Sequence, residues 1–151
     1  MQKRLAASIA LAAVLIIPSV ASAMDGTMTF DGAKAKGQGE RFANVTYTLS
    51  AQVDAASTSR RSRATHSQVC VQRAPTASSP LLYGAVWSNE MFKTIQLDFS
   101  NGLRLKLSDA AGISYKVATD KDLEEICFTF KSIEVSMKGQ NAVTANPVTG
   151  V

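Results

Sequence analysis

The chain has 151 residues, a formal net charge of +4, and 46% of its residues are hydrophobic. That length is sufficient for one domain with a hydrophobic core and too short for two. The small positive charge argues against a dedicated nucleic-acid binder, which normally has a strongly basic face.

The N-terminus has the pattern of a signal peptide. A short positive region, Met1–Arg4, precedes the uncharged apolar stretch Leu5–Ile17. That stretch has the length of a signal h-region, about 7–15 residues, and is shorter than the ~20 residues of a spanning helix. An Ala-Ser-Ala motif follows and ends at Ala23. We therefore predict cleavage between Ala23 and Met24, with a buried N-terminal helix as the weaker alternative.

Processing would leave a mature chain of 128 residues, because 23 of the 151 residues are removed. The net charge would fall from +4 to +2, since the removed segment contains two basic residues. No second apolar run approaches spanning length, so we expect a soluble protein that is exported to the periplasm or secreted.

Alternating apolar and polar residues dominate the mature chain. The alternation is clear in Val45–Leu49, Leu103–Leu107 and Ile113–Val117. A repeat of two residues predicts half-buried antiparallel strands. Ser100–Gly102 is a turn signal, so the strand Phe92–Phe99 should form a hairpin with the strand that follows. We predict a mainly β fold, a small antiparallel barrel or sandwich of about seven strands.

One short helix interrupts the strands. Ser78 or Ser79 can cap it, Pro80 suits its first turn, and apolar residues then recur at helical spacing. Ser88-Asn89 is expected to end the helix. The fold class is therefore mainly β with one short α-helix.

Other segments lack the alternating pattern. Asp31–Gly39 is a Gly-rich loop, Asp54–Thr65 is rich in small and basic residues, and residues 138–151 form a flexible C-terminal tail. The alternation of apolar and polar residues shifts by one position near Lys131-Ser132, which predicts a bulge or bend in the strand. The folded domain is expected to span residues 24–137.

Two cysteines in an exported chain favour a disulfide. Alternation directs Cys70 away from Val69 and Val71, and Cys127 away from Ile126, so both thiols lie on the polar faces of their strands. If the two strands are neighbours, a cross-strand disulfide is feasible and contributes about 4 kcal/mol in the chain-entropy model. Two unrelated free thiols are the alternative.

Catalytic and metal-binding patterns are weak. His66 is the only histidine, and no nucleophile elbow surrounds a serine, so a polar residue at a strand edge is the better interpretation. Two distant cysteines do not form a zinc motif. The acidic run Asp120–Glu125 lacks the ligand pattern of a calcium loop and is interpreted as a solvated turn. We expect no cofactor, no metal and no enzymatic activity.

One basic run, Arg60, Arg61 and Arg63, occurs in the loop after the second predicted strand. It could contact nucleic acid, an acidic partner or a neighbouring subunit, or form a solvated mobile loop. The loop contains no interleaved aromatic residues, which argues against nucleic acid.

The order of elements from residue 66 to 137 resembles one family. A strand (Gln68–Arg73), an SSPLL helix start (Ser78–Leu82), a strand, a hairpin (Leu103–Val117) and an EEICFTFKSIE strand (Glu124–Glu134) follow one another. The order of these elements and their local sequences resemble those of the haemolysin-coregulated protein (Hcp) family. Members of that family are the ring-forming tube subunits of the type VI secretion system. The resemblance extends upstream to Thr27.

The Hcp resemblance implies a structural protein that assembles with itself, most simply into a hexamer, and that carries or binds type VI secretion effectors or components. It also implies that the arginine loop reaches towards the next ring. Family tube subunits are made without a signal peptide, so this chain is expected to be an exported relative. The alternatives are an exported β-domain that binds a ligand, surface or secretion-machine component without forming rings, and, last, a small secreted hydrolase.

Overall fold

The computed structural model describes residues 25–52 and 63–146, which contain eleven strands and one helix. The strands are β1 (Gly26–Gly32), β2 (Lys36–Phe42), β3 (Asn44–Thr46), β4 (Leu49–Gln52), β5 (Arg63–His66), β6 (Val69–Arg73), β7 (Met91–Phe99), β8 (Leu103–Ala118), β9 (Leu123–Thr129), β10 (Ser132–Met137) and β11 (Val143–Ala145), and the helix is α1 (Ser79–Trp87).

Seven strands form the main antiparallel path, in the order β2-β1-β7-β8-β9-β6-β3. The four additional strands are short: β10 joins the first half of β8, β11 joins β10, and β4 pairs with β5 as a separate sheet. The prediction of a mainly β, antiparallel fold with one short helix is confirmed.

The two ends of the main path lie close together. β2 and β3 are consecutive in the chain, separated only by Ala43, although five strands lie between them in the sheet. The backbone N–H of Ala43 donates to the carbonyl of Gln72 in β6, at 2.8 Å. The sheet therefore curls until its first and last strands meet.

The inward faces of these strands form one core. Its centre is aromatic: Phe92 meets the edges of Phe30 and Phe128, with ring centroids 6.0 and 5.8 Å apart. Edge-to-face geometry is a favourable arrangement for aromatic rings. The large fully buried apolar side chains are Met28, Phe30, Leu82, Phe92, Ile95, Leu97, Leu107, Ile126, Phe128 and Ile133.

Helix α1 packs against β8 because of a glycine. A Cβ on Gly112 would lie 2.7 Å from Cγ2 of Val86, closer than van der Waals contact allows. Leu82 and Ala85 on the same side of the helix are buried. Gly112 therefore allows α1 to approach the sheet and close the core on this side.

The turn between β1 and β2 is fixed by an acidic side chain from the α1–β7 connection. A carboxylate oxygen of Glu90 accepts the backbone N–H of Lys34 at 2.6 Å and of Ala35 at 3.0 Å. Burial alone would raise the pKa of Glu90, but these hydrogen bonds and the charge of Lys34 outweigh it and lower the pKa below its ordinary value.

The hairpin predicted within Leu103–Val117 is wrong, because β8 is one strand of 16 residues. The polar and small residues that resembled a turn form an irregular section instead. Asp109 has a φ of 49°, and the register with β9 shifts between Gly112 and Ser114. Such a bulge bends a strand without ending it, so β8 pairs with β10 before the bend and with β9 after it.

Other boundaries also differ from the sequence-based expectation. Most of the Gly-rich loop Asp31–Gly39 belongs to β1 and β2, and the predicted strand over Val45–Leu49 is divided between β3 and β4. Part of the predicted tail forms β11, which pairs with β10. The chain does bend at Lys131, whose N–H donates to the carbonyl of Ser108, where β9 ends and β10 begins.

Candidate functional site

Strands β6 and β9 are joined by a covalent cross-link. Cys70 and Cys127 are direct partners in the antiparallel register, with their Cα atoms 4.0 Å apart, and their sulfur atoms form a disulfide. Val69, Val71 and Ile126 face the core, so the disulfide lies on the opposite side of the sheet. β6 and β9 are therefore neighbouring strands, which the sequence alone did not establish.

The disulfide lies beside a carboxylate. The two sulfur atoms and an oxygen of Glu125 lie within 4.8 Å of one another, which is close enough for three ligands of one metal ion. A cysteine binds metal as a thiolate, and in the disulfide each sulfur is bonded to the other. The carboxylate of Glu125 instead accepts a hydrogen bond from Gln72 Nε2, at 2.9 Å. In the oxidised protein this cluster is therefore a structural cross-link.

The same two strands are joined on the core side by a buried ion pair. Arg73 Nε lies 2.6 Å from a carboxylate oxygen of Glu124, and the two residues are 0% and 1% exposed. Isolated buried charges are strongly unfavourable, so each residue depends on its partners. This ion pair crosses from β6 to β9 three residues away from the disulfide.

Arg73 also connects other elements to this pair. Its Nη1 lies 3.3 Å from a carboxylate oxygen of Glu40 in β2, and its Nη2 donates to the hydroxyl of Ser78 at 2.9 Å. Ser78, one of the two serines predicted as a cap, is the N-cap residue of α1, but its hydroxyl accepts from Arg73 and does not cap the helix. One guanidinium thus joins β6, β9, β2 and the start of α1.

Tyr115 completes the network from β8. Its hydroxyl donates to the second carboxylate oxygen of Glu124 at 2.5 Å. Burial raises the pKa of Tyr115 to about 12, with further contributions from the hydrogen bond and negative charge of Glu124. Deprotonation would place a phenolate against a carboxylate, so the hydroxyl keeps its proton at neutral pH.

This network was not predicted from the sequence, in which Glu124 belongs to a run interpreted as a solvated acidic turn. That placement is wrong for Glu124, whereas Asp120 and Asp122 are exposed in the turn before β9. The alternation did contain a signal. Arg73 follows Val69 and Val71 at a spacing of two, and Glu124 precedes Ile126 at the same spacing, so both charges lie in phase with the core.

His66 lies in a small aromatic cluster. Its Nδ1 is 2.7 Å from the hydroxyl of Tyr47, and the rings of Tyr47, His66 and Phe130 have centroids 6.1–6.2 Å apart. Burial raises the pKa of Tyr47 above its ordinary value. The contacts of His66 are therefore those of a packed residue at the end of β5.

The predicted arginine loop falls between β4 and β5 in the sequence. Arg63 begins β5, where its backbone pairs with Gln52 of β4. Arg60 and Arg61 lie outside the described residues, as do the predicted cleavage residues Ala23 and Met24. Within residues 25–52 and 63–146, no helix is long and apolar enough to cross a membrane.

An antiparallel sheet that curls on itself, with one short helix against β8 and a cross-linked β6–β9 pair, defines a small, mainly β domain. The family model described as type VI secretion system effector, Hcp, matches residues 40–137, which is more than half of the chain. The chain therefore belongs to the Hcp family.

Solved structures of this family have the same fold. A crystal structure of an Hcp protein aligns with a TM-score of 0.69 at 15% identity, over 85% of this chain and 100% of that one. A double mutant of Hcp1 from E. coli EAEC 042 gives 0.66 at 14% identity, over 83% and 99% of the two chains. The secreted protein Hcp3 from Pseudomonas aeruginosa gives 0.60 at 16% identity, over 80% and 98%. No curated protein sequence matches the chain.

Proposed function

We propose that the mature chain is an exported, non-enzymatic structural protein of type VI secretion that assembles into hexameric rings and carries or binds secreted effectors. The observation that carries the proposal is the match of residues 40–137 to the Hcp family model. The fold supports it, because the similarity to an Hcp crystal structure covers the whole of that chain.

Unpaired strand edges give the proposal a physical basis. Within the described residues, β2 pairs only with β1, β3 only with β6, and β11 only with β10. Such edges have free backbone N–H and C=O groups, which a strand of another copy can satisfy. A contact between two different edges is heterologous, and it generates a closed ring when the rotation between subunits closes.

The disulfide supports assembly outside the cytoplasm. Disulfides persist in oxidising compartments and are rare in the cytosol. Cys70 and Cys127 are bonded, and the N-terminal sequence has the pattern of a signal peptide. We therefore expect ring formation in the periplasm or after secretion.

Light scattering coupled to size exclusion tests assembly directly. The oxidised mature chain from Met24 should elute with six times the monomer mass. A monomer at high micromolar concentration would contradict the proposal and would favour an exported β-domain that binds a ligand without forming rings.

The arginine loop provides a second test, specific to contacts between rings. Reversing the charges of Arg60, Arg61 and Arg63 to glutamate should leave the domain folded if the run lies in an exposed loop as predicted, because surface substitutions usually change stability by no more than about 0.5 kcal/mol. Ring stacking, measured by sedimentation velocity, should weaken more than the ring itself. Substituting the same residues by lysine is the matched control, since it retains the charge.

A further inference from the structure

The outer face of the β6–β9 pair carries four side chains that are close neighbours. Cys70 is the register partner of Cys127, and Gln72 is the register partner of Glu125. Residues two apart in a strand point to the same face, so all four side chains lie on the side of the sheet away from the core. Cys70, Gln72 and Glu125 are half-buried, so an ion in solution can reach this group.

Three of these side chains have atoms that bind metal ions. The two sulfur atoms and a carboxylate oxygen of Glu125 all lie within 4.8 Å of one another, and Glu125 Oε1 is 4.0 Å from Cys127 Sγ. Ligands of a tetrahedral zinc ion, with Zn–S bonds of about 2.3 Å and Zn–O bonds of about 2.0–2.2 Å, are separated by about 3.6–3.8 Å. The carboxylate is therefore already near the position of a ligand.

Neighbouring side chains also orient this carboxylate. Gln72 Nε2 donates to Glu125 Oε2 at 2.9 Å, and Oε1 is the oxygen that lies near Cys127. Metal-binding carboxylates usually have such an outer hydrogen-bond partner. Lys116 Nζ lies 3.7 Å from Oε1, but the side chain of Lys116 is 72% exposed and can turn into solvent when a metal ion takes its place.

Reduction converts the disulfide into two ligands. A thiol reductant cleaves it by exchange: two thiols of the reductant are oxidised to a disulfide, and their two electrons and two protons pass to Cys70 and Cys127. The freed thiols can rotate about their Cα–Cβ bonds until the sulfur atoms are far enough apart to share one metal ion. The ion then binds the two thiolates and displaces the two thiol protons.

We propose that the reduced chain binds one zinc ion through Cys70, Cys127 and Glu125, with water as the fourth ligand. Thiolate ligands select zinc over magnesium and calcium, which prefer oxygen. The ion joins β6 to β9 at the place where the disulfide joins them in the oxidised chain. The sequence contains no zinc motif because the cysteines are 57 positions apart and only strand pairing brings them together. This site does not depend on ring assembly.

Cobalt(II) is a suitable probe of the site, because thiolate ligands give it a charge-transfer absorption band that oxygen ligands do not. The mature chain should be reduced with a dithiol, desalted under argon and titrated with cobalt(II). We expect a band that saturates at one ion per chain and disappears when zinc is added. The oxidised protein should show no such band. A reduced protein without the band, or an equal band in the oxidised protein, would overturn the inference.

Matched variants test the individual ligands. Cys70→Ser should abolish tight binding. Glu125→Gln should weaken binding by at least about tenfold, since the loss of only an outer hydrogen-bond partner already costs about 10–100-fold. Glu134→Gln makes the same change in β10, outside the site, and should bind like the wild type. Equal affinities of the two glutamine variants would overturn the proposed site. If reduction unfolds the chain, added zinc should restore the native circular dichroism, and a failure to restore it would also overturn the proposal.

Discussion

Removing Arg73 should strongly destabilise the protein, because it leaves Glu124 buried without its cationic partner. Arg73 and Glu124 are 0% and 1% exposed and lie 2.6 Å apart. Breaking a buried ion pair from one side costs about 3–5 kcal/mol. A domain of this size is stable by about 5–15 kcal/mol, so Arg73→Met should remove about a fifth of the total or more. The midpoint of urea unfolding should fall by about 2 M.

The control is Arg104→Met, which makes the same substitution in an ion pair with Asp98 at the surface. Exposed pairs contribute only about 0–1 kcal/mol. The double variant Arg73→Met/Glu124→Gln should be more stable than Arg73→Met alone, because no unpaired carboxylate remains in the core. Unfolding should be followed by circular dichroism at one protein concentration, since assembly also stabilises the fold. A loss for Arg73→Met no larger than for Arg104→Met would refute the reasoning.

Four further outcomes are expected. Thiol counting under denaturing conditions should find no free thiol, and two free thiols in the native protein would exclude the cross-link. Reducing the Cys70–Cys127 disulfide should lower the free energy of unfolding by up to about 4 kcal/mol, measured from the shift in the urea midpoint. The pKa of Tyr115 is raised to about 12 in the folded state. The stability that Tyr115 contributes should therefore be fully present below its unfolded pKa of about 10 and be lost as pH rises towards 12. Tyr115→Phe should therefore lack this alkaline loss in pH-dependent unfolding. The pKa of Glu90 is lowered, so the stability that Glu90 contributes should be fully present above its unfolded pKa, about 4.3, and be lost on acidification. The wild type and Glu90→Gln should therefore become equally stable at low pH. A stability difference that does not change with pH would count against this assignment. Intact mass of the protein from a periplasmic extract should begin at Met24, and a mature species that retains the first residue would contradict export.

Alternation predicted the elements whose apolar face is continuous. β6 and β7 lie where the pattern placed them, and the predicted strand Glu124–Glu134 is divided into β9 and the start of β10. The helix begins and ends near the serines that were expected to bound it. The inward and outward faces of the cysteine strands were also assigned correctly. Local pattern is sufficient here because burial on one face requires it.

The errors arise where tertiary partners override local composition. Ser108–Gly112 has the composition of a turn, but β7 continues beside it as far as Ala111, so the strand bends and remains paired. Residue type alone places a charged side chain in solvent, as in the turn predicted over Asp120–Glu125, whereas Arg73 and Glu124 are buried because each compensates the charge of the other. Neither outcome depends on neighbouring residues alone. Both the continued pairing of β8 and the burial of the two charges depend on a partner in a distant strand.

The single residue between β2 and β3 has a consequence for the order of folding. These strands are adjacent in the chain but lie at opposite ends of the sheet, and the strands between them are mostly supplied by residues 91–129. β1 and β6 therefore gain their second partners, β7 and β9, only after the C-terminal half of the chain is available. Pairings of such long sequence separation form slowly, because the loop must close before the contacts stabilise it.

Slow closure would suit a chain that crosses a membrane before it folds. While the later strands are still missing, the early ones cannot complete the sheet, and the polypeptide stays extended enough to pass through a narrow pore. The same delay leaves unpaired edges exposed to other chains, which is a common route to aggregation. Expression without the predicted signal segment should therefore yield more insoluble material than expression of the full sequence.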